Sequence, residues 1–97
     1  MVYAIILSPE AVEDLRSLKA SLRAKVRDEL ETHLRHEPTK TSRSRIKRLR
    51  GLRRPKYRLR IEDVRVFYDV AGSTVEVLAI VAKSEVDTWL ARIGSPK

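Results

Sequence analysis

Residues 43–68 read RSRIKRLRGLRRPKYRLRIEDVRVFY, and the second half of this stretch decides the fold. Tyr57, Leu59 and Ile61 alternate with Arg58 and Arg60, and after Glu62-Asp63 the residues Val64, Val66 and Tyr68 alternate with Arg65 and Phe67. Period-two alternation on both sides of a short polar break predicts two adjacent strands, each with one apolar and one basic side. Between Glu37 and Glu62 there is no acidic residue, while Lys40, Arg43, Arg45, Lys47, Arg48, Arg50, Arg53, Arg54, Lys56, Arg58 and Arg60 supply eleven of the chain's 21 basic residues. Such a concentration seeks phosphate. The basic row is thus mounted on sheet and not carried by a tail.

Upstream, Val2–Leu7 (VYAIIL) is a short apolar run rich in β-branched residues, which predicts a strand inside the sheet, buried on both faces. Ser8-Pro9-Glu10 is a helix start: the hydroxyl can cap, proline loses no hydrogen bond at the first helical position, and glutamate faces the positive helix end. Val12, Leu15, Leu18, Leu22, Val26, Leu30 and Leu34 then recur at helical spacing. Unbroken, that stripe would make a helix too long for this chain, so a turn is expected near Lys19–Ser21, with Ser21 capping the second arm of a helical hairpin. Pro38 should end that arm, and Thr39–Ser44 is a polar basic loop.

Strands are expected at about 45–50, 56–61, 64–70 and 74–82, with a turn at Ala71-Gly72-Ser73. The near-continuous apolar character of 74–82 (TVEVLAIVA) suits a central strand covered on both faces. Ser84–Asp87 resembles a capping box that starts a short helix bearing Val86, Trp89, Leu90 and Ile93 and ending near Gly94 and Pro96. The fold class is α+β, in the order β-αα-β-β-β-α, as one domain over residues 1–97.

Composition narrows the functional classes. The net charge of +8, with 42% hydrophobic and 35% charged residues, fits a soluble domain with a polyanionic partner. There is no cysteine, hence no disulfide or thiolate metal site, and no apolar run of membrane-spanning length or secretory leader, so cytoplasmic residence is expected. His33 and His36 have no cluster of further ligands and belong to a solvated helix face; no metal or cofactor is called for. Glycine loops for phosphate, nucleophile elbows and zinc motifs are absent. Tyr57 and Tyr68 share the apolar parity of their strands and belong to the core; Phe67 shares the parity of Arg65 and is the better candidate for stacking on a base. Trp89 at helical spacing with Val86 is core or a partner groove.

This order of elements, with KYRLRIEDVRVFYDV leading into VEVLAIVAKSEVDTWL, resembles the RelE/ParE superfamily of toxins from type II toxin–antitoxin modules. The paired signature Tyr57-Arg58-Leu59-Arg60 and Arg65-Val66-Phe67-Tyr68 is its most specific part. The resemblance implies a curved, mainly antiparallel sheet with the helical hairpin on one face and a basic concave face left open, as in microbial RNases of the RelE type. It further implies a ribosome-dependent, metal-independent mRNA endoribonuclease (mRNA interferase) that inhibits translation and is neutralised by a cognate acidic antitoxin, with operator DNA held mainly through that antitoxin. Arg58 and Arg60 fall where RNA-cleaving members often carry lysines, Arg65 matches a phosphate-stabilising arginine, and Arg48 matches an arginine near the site. Lys83 is the basic residue retained on the C-terminal segment and the candidate proton donor, whereas the family's second arginine and tyrosine fall near Ser84 and at Trp89 or Leu90. The expected catalytic set is therefore Arg58, Arg60, Arg65 and Lys83, and the expected RNA-binding set is Arg43, Arg45, Lys47, Arg48, Arg50, Arg53, Arg54, Lys56 and Phe67. Arginine stays protonated and is a poor general base, and the family's C-terminal arginine and tyrosine are not matched here, so a ParE-like inhibitor of DNA gyrase without nuclease activity, or a degenerate toxin that binds only antitoxin and operator, stand beside the nuclease reading.

Overall fold

The computed structural model describes residues 1–93 and 95–96. β1 (Ala4–Leu7) leads into α1 (Pro9–Arg16) and α2 (Ala20–Glu29), and a π-helical turn at Leu30–Leu34 prolongs α2. Then come β2 (Ile46–Arg48), β3 (Leu52–Arg54), β4 (Tyr57–Ile61), β5 (Val64–Ala71), β6 (Thr74–Ala82), a 3-10 turn at Lys83–Glu85, α3 (Val86–Ile93) and β7 (Ser95–Pro96). Five strands form one sheet in the order β1-β6-β5-β4-β2, antiparallel except for the parallel β1–β6 pair, while β3 and β7 pair apart from it. The α+β class, the mainly antiparallel sheet and the helical hairpin are as expected. Four strands of the main sheet follow the hairpin, one in each of the four expected stretches, although the order β-αα-β-β-β-α counts only three, and the β3–β7 pair has no signature in either segment.

The helical hairpin forms as its caps dictate. Ser8 Oγ accepts from the Ala11 N–H at 3.1 Å, and Pro9 opens α1. The chain turns at residues 17–19, slightly earlier than the sequence suggested. Lys19 occupies the α2 cap position with no side-chain bond, and Ser21 lies exposed inside the first turn, so the expected Ser21 cap is not used. The expected Ser84 capping box is replaced by the 3-10 turn, and the helix end placed at Gly94 lies outside the described residues. Pro38 is buried and its carbonyl accepts from the Tyr68 hydroxyl at 2.6 Å.

One face of the sheet packs on the hairpin. Leu15, Val26, Leu30 and Leu34 meet Ile46, Leu59, Val66, Tyr68, Val75 and Val77, with Tyr57 and Tyr68 stacked at 5.5 Å between ring centroids. Both tyrosines are core, as the alternation required, and burial pushes the Tyr68 phenol well above its usual range. The other face carries a smaller core of Phe67, Ala79, Val81 and Trp89, with Leu49, Leu78, Val86 and Leu90 against it.

The register of β5 against β6 shifts between Phe67 and Tyr68, which oppose Ala79 and Val77 and leave Leu78 as the extra residue of a bulge. Two α1-side groups satisfy it: Ser8 Oγ donates to the Leu78 carbonyl at 2.8 Å, and the Ile80 N–H donates to Asp14 Oδ2 at 2.9 Å. Burial holds the Asp14 carboxyl above its ordinary 3.8, with the Ile80 bond pulling it down and Glu10 pushing it up. The native state therefore binds more protons than the unfolded chain just above pH 3.8, so this group's contribution to stability declines as pH rises through that window. Asp14→Asn, which keeps the acceptor, is expected to flatten the decline, whereas Asp14→Ala should cost about 1–3 kcal/mol at neutral pH by orphaning the Ile80 N–H. Thermal melts of both variants against pH check this.

β1 corrects an expectation. It is an edge strand paired only with β6, not an interior one. Tyr3, Ile5 and Leu7 pack on the hairpin core, but Val2, Ala4 and Ile6 point away from it and are exposed. A short apolar run of β-branched residues reads alike for a strand covered on both faces and for an apolar edge, so the pattern could not separate them.

Candidate nucleic-acid interface

The face opposite the hairpin brings the signature arginines together. In the β4–β5 ladder Arg60 stands directly opposite Arg65 and Arg58 opposite Phe67, while Lys47 on β2 opposes Arg58 from the other side. Directly opposed residues share a sheet face, so Lys47, Arg58, Arg60 and Arg65 form one cationic group. Among the described residues none of the four makes a salt bridge, although other cations of the chain find carboxylates. The Arg58 guanidinium is partly buried, and its Nε is buried without a hydrogen-bond partner.

Arg65 is only 7% exposed, and its Nη1 donates to the Glu62 carbonyl at 2.8 Å and the Val64 carbonyl at 2.9 Å. The guanidinium thus braces the β4–β5 turn, where Glu62 takes φ 49°. Burial lowers the pKa of Arg58, and neighbouring Arg65 and Arg60 lower it further; for Arg65 burial comes first, then Arg60, with Asp63 opposing. Both remain cations. Three like charges held together without a counter-ion destabilise the free site, and an anion would relieve both the repulsion and the unpaired Nε.

The remaining basic residues divide. Lys47, Arg50 and Arg53 are exposed on or beside the β2–β3 segment, Arg43 is exposed in the preceding loop, and Lys56 is exposed while its backbone N–H donates to Asp69 Oδ1 at 2.7 Å. Arg45 is tied to Glu29 at 2.9 Å, and the same carboxylate holds His33 at 2.8 Å. Arg54 is tied to Asp69 at 2.7 Å and lies 3.9 Å from Glu76. Arg48 donates to the Tyr57 hydroxyl at 3.1 Å and sits 5.3 Å from that ring's centroid. The basic run is therefore not one uniform surface: Arg45 and Arg54 serve ion pairs with carboxylates remote in sequence. Lys83 lies just past β6, exposed, with its backbone N–H on the Asp63 carbonyl at 2.7 Å.

Phe67 has the predicted parity but not the predicted role. Its ring is fully buried, stacked on Trp89 at 4.7 Å with 14° between planes, so α3 covers the position where a base would stack. Trp89 Nε1 in turn donates to Glu10 Oε2 at 2.8 Å, which fixes α3 to α1. Of the cationic group on this face, Lys47 and Arg60 are exposed, Arg58 is partly buried and Arg65 is buried.

Comparison with known proteins places this geometry. The family described as the ParE toxin of the type II toxin-antitoxin system, parDE, matches residues 5–86. The chain belongs to this toxin family. No protein of curated function matches it. Among solved structures, the toxin is similar to a chain of the RelBE2 toxin–antitoxin complex from Mycobacterium tuberculosis, with 23% identity over 84% of this chain and 92% of that one and a TM-score of 0.69. A chain of the archaeal RelE–RelB complex from Pyrococcus horikoshii is 26% identical over 86% of this chain and 97% of that one, with a TM-score of 0.64. Free E. coli RelE carrying two arginine-to-alanine changes matches 96% of this toxin and 99% of its own length at 19% identity, with a TM-score of 0.72. The toxin therefore has the RelE-like fold. Within it, the Arg58–Arg60–Arg65 cluster lies inside the matched segment, and among the described residues no helix is long and apolar enough to cross a membrane.

Proposed function

We propose that this toxin acts in the cytoplasm as a ribosome-dependent mRNA endoribonuclease, with Lys47, Arg58, Arg60 and Arg65 holding the scissile phosphodiester. The observation that carries the reading is a cationic group without a salt bridge among the described residues, with Lys47 and Arg60 exposed and a buried Arg58 Nε that no protein atom satisfies. Cleavage without a metal needs a 2′-hydroxyl made nucleophilic, neutralisation of the charge that builds on the phosphate, and a proton for the leaving 5′-oxygen. The arginines supply the second requirement, as fixed donors that need no reorganisation. Lys83, at the margin of the cluster, is the proton donor in this reading. Arg43, Arg50, Arg53 and Lys56 extend the phosphate track along the strand edge.

A second reading rests on what else lies on that face. The side chains that the ladders set beside the arginines are Lys47, Phe67, Ala79 and Val81, with no histidine or carboxylate among them. This favours a target held and not cut, as in ParE-like inhibition of DNA gyrase. Primer extension on a reporter mRNA after induction, with pulse labelling of protein and DNA synthesis, separates the two. Discrete cuts in translated message with an immediate translation stop are expected; intact message with early loss of DNA synthesis would transfer the function to gyrase.

In both readings the partner is an acidic antitoxin whose segment covers the arginine group, with operator DNA contacted mainly through the antitoxin. Solved relatives are toxin–antitoxin complexes, and an acidic chain complements the net charge of +8. Affinity between toxin and antitoxin is expected to fall by at least about tenfold between about 50 mM and about 300 mM salt. An affinity that titration calorimetry finds independent of salt would assign the interface to apolar contacts.

A further inference from the structure

Cutting RNA without a metal needs a group that takes the proton of the 2′-hydroxyl, and the cationic group holds none. Arginine stays protonated. Tyr57 and Tyr68 belong to the hairpin-side core, and His33 is bonded to Glu29 on the π-helical turn. Asp69 lies on β5, but both of its carboxylate oxygens are occupied, Oδ2 by Arg54 Nε and Oδ1 by the Lys56 N–H, each at 2.7 Å.

Asp63 is placed differently. It is exposed in the two-residue turn between β4 and β5, which the Ile61–Val64 pair closes, and Arg60 and Arg65 form the next pair of the ladder. On its other side, the bond from the Lys83 N–H to the Asp63 carbonyl carries the β5–β6 pairing one step past Val64–Ala82. Asp63 and Lys83 therefore oppose each other, as Arg65 and Val81 do two residues further in. Opposed residues share a face, and so do residues two apart on a strand, so Asp63 and Lys83 stand at the end of the arginine row. Both line an open cavity of about 480 Å³, together with Ala82 and Ser84. Among the described residues Asp63 makes no salt bridge, whereas Glu62 beside it pairs with Lys25 of α2 at 3.6 Å. The Asp63 charge nevertheless acts on the site, since it opposes the lowering of the Arg65 pKa by burial.

We propose that Asp63 is the general base of the cleavage, its carboxylate taking the proton of the 2′-hydroxyl while Arg58, Arg60 and Arg65 hold the phosphate. This role rests on the nuclease reading and supplies the one step that its cations cannot perform. The proton of the 2′-hydroxyl passes to Asp63, and the 2′-oxygen forms a bond to phosphorus. The bond from phosphorus to the 5′-oxygen breaks, and the Lys83 ammonium protonates that oxygen. A 2′,3′-cyclic phosphate and a 5′-hydroxyl result, and Asp63 and Lys83 regain their starting states by proton exchange with water. The position suits both charges. Inside the row a carboxylate would neutralise a guanidinium that the phosphate needs; at its end it leaves Arg58 and Arg60 to the phosphate. A base and an acid opposed across a ladder, with no salt bridge between them, leave room for a ribose and its phosphate.

Asp63→Asn keeps the shape of the side chain and removes the base. It is expected to lower single-turnover cleavage of a reporter mRNA in a translating extract by about 10²–10⁴-fold, with an unchanged melt. Binding to ribosomes that carry a 2′-deoxy-substituted message, which cannot be cut, should stay equal or become tighter, because a negative charge leaves the neighbourhood of the phosphate. A folded Asp63→Asn that cleaves at the rate of the parent overturns the assignment and leaves the nuclease reading standing. Cleavage and binding lost together also overturn it, and make Asp63 a contact to message or ribosome. A parent that leaves message intact overturns the nuclease reading and the base with it.

Discussion

Arg60→Ala is expected to abolish growth arrest while leaving the melting temperature unchanged or raised. Arg60 is exposed, makes no salt bridge among the described residues, and stands directly opposite Arg65, so its removal takes away repulsion and no native contact. The same removal takes one cationic donor from the site where phosphate charge would build, a loss of about 10²–10³-fold in cleavage rate for donors of this kind. Toxicity after induction, cleavage of reporter mRNA in a translating extract, and a thermal melt are the three readouts. Retained toxicity would remove Arg60 from the site, and a fall in melting temperature would make it structural.

Arg65→Ala is the less clean test, because Arg65 also braces the β4–β5 turn. Its loss leaves the Glu62 and Val64 carbonyls without their donor, at about 1–3 kcal/mol, so lost toxicity could reflect lost fold. Arg65→Lys separates the roles. A lysine keeps the charge and one bond to the carbonyls but not the planar fork, so it should recover most of the stability and little of the activity.

The contrast between these arginines marks how far the sequence could be read. Alternation alone places Arg58, Arg60, Arg65 and Phe67 on one side of their strands, because side-chain parity is local and the Glu62-Asp63 break fixes the ladder's register. Parity does not say what lies over a face. Phe67 and Arg65 are two residues apart and both are buried, yet the first is stacked under Trp89, more than twenty residues downstream, while the second is turned onto the Glu62 and Val64 carbonyls. The ion pairs of Arg45 and Arg54 were not legible in the sequence for the same reason. Their carboxylates, Glu29, Asp69 and Glu76, are brought to them only by the fold. The helical hairpin was legible since its stripe and its Ser8-Pro9 start are local, whereas the place of β1 depends on which strand borders the sheet.

Trp89→Ala should be the most destabilising single change on the arginine-bearing face. The indole is buried, stacked on Phe67, and bonded through Nε1 to Glu10, so truncation opens a cavity and removes the ring stacked on Phe67. Truncation of a buried large aromatic costs about 3–5 kcal/mol, and each kcal/mol shifts the midpoint of a domain of this size by about 4–8 °C, so a fall of more than about 12 °C is expected. Trp89→Phe keeps the stack and loses the Glu10 bond, which limits the cost to roughly 1–2 kcal/mol. The chain has one tryptophan, so intrinsic fluorescence of the parent follows α3 directly, and its transition should coincide with loss of secondary structure if the smaller core melts with the larger one. A Trp89→Ala protein that melts within a few degrees of the parent would mean that α3 contributes little cover. Phe67 would then be available beside Arg58 and Arg65, and stacking on a base would return as its role.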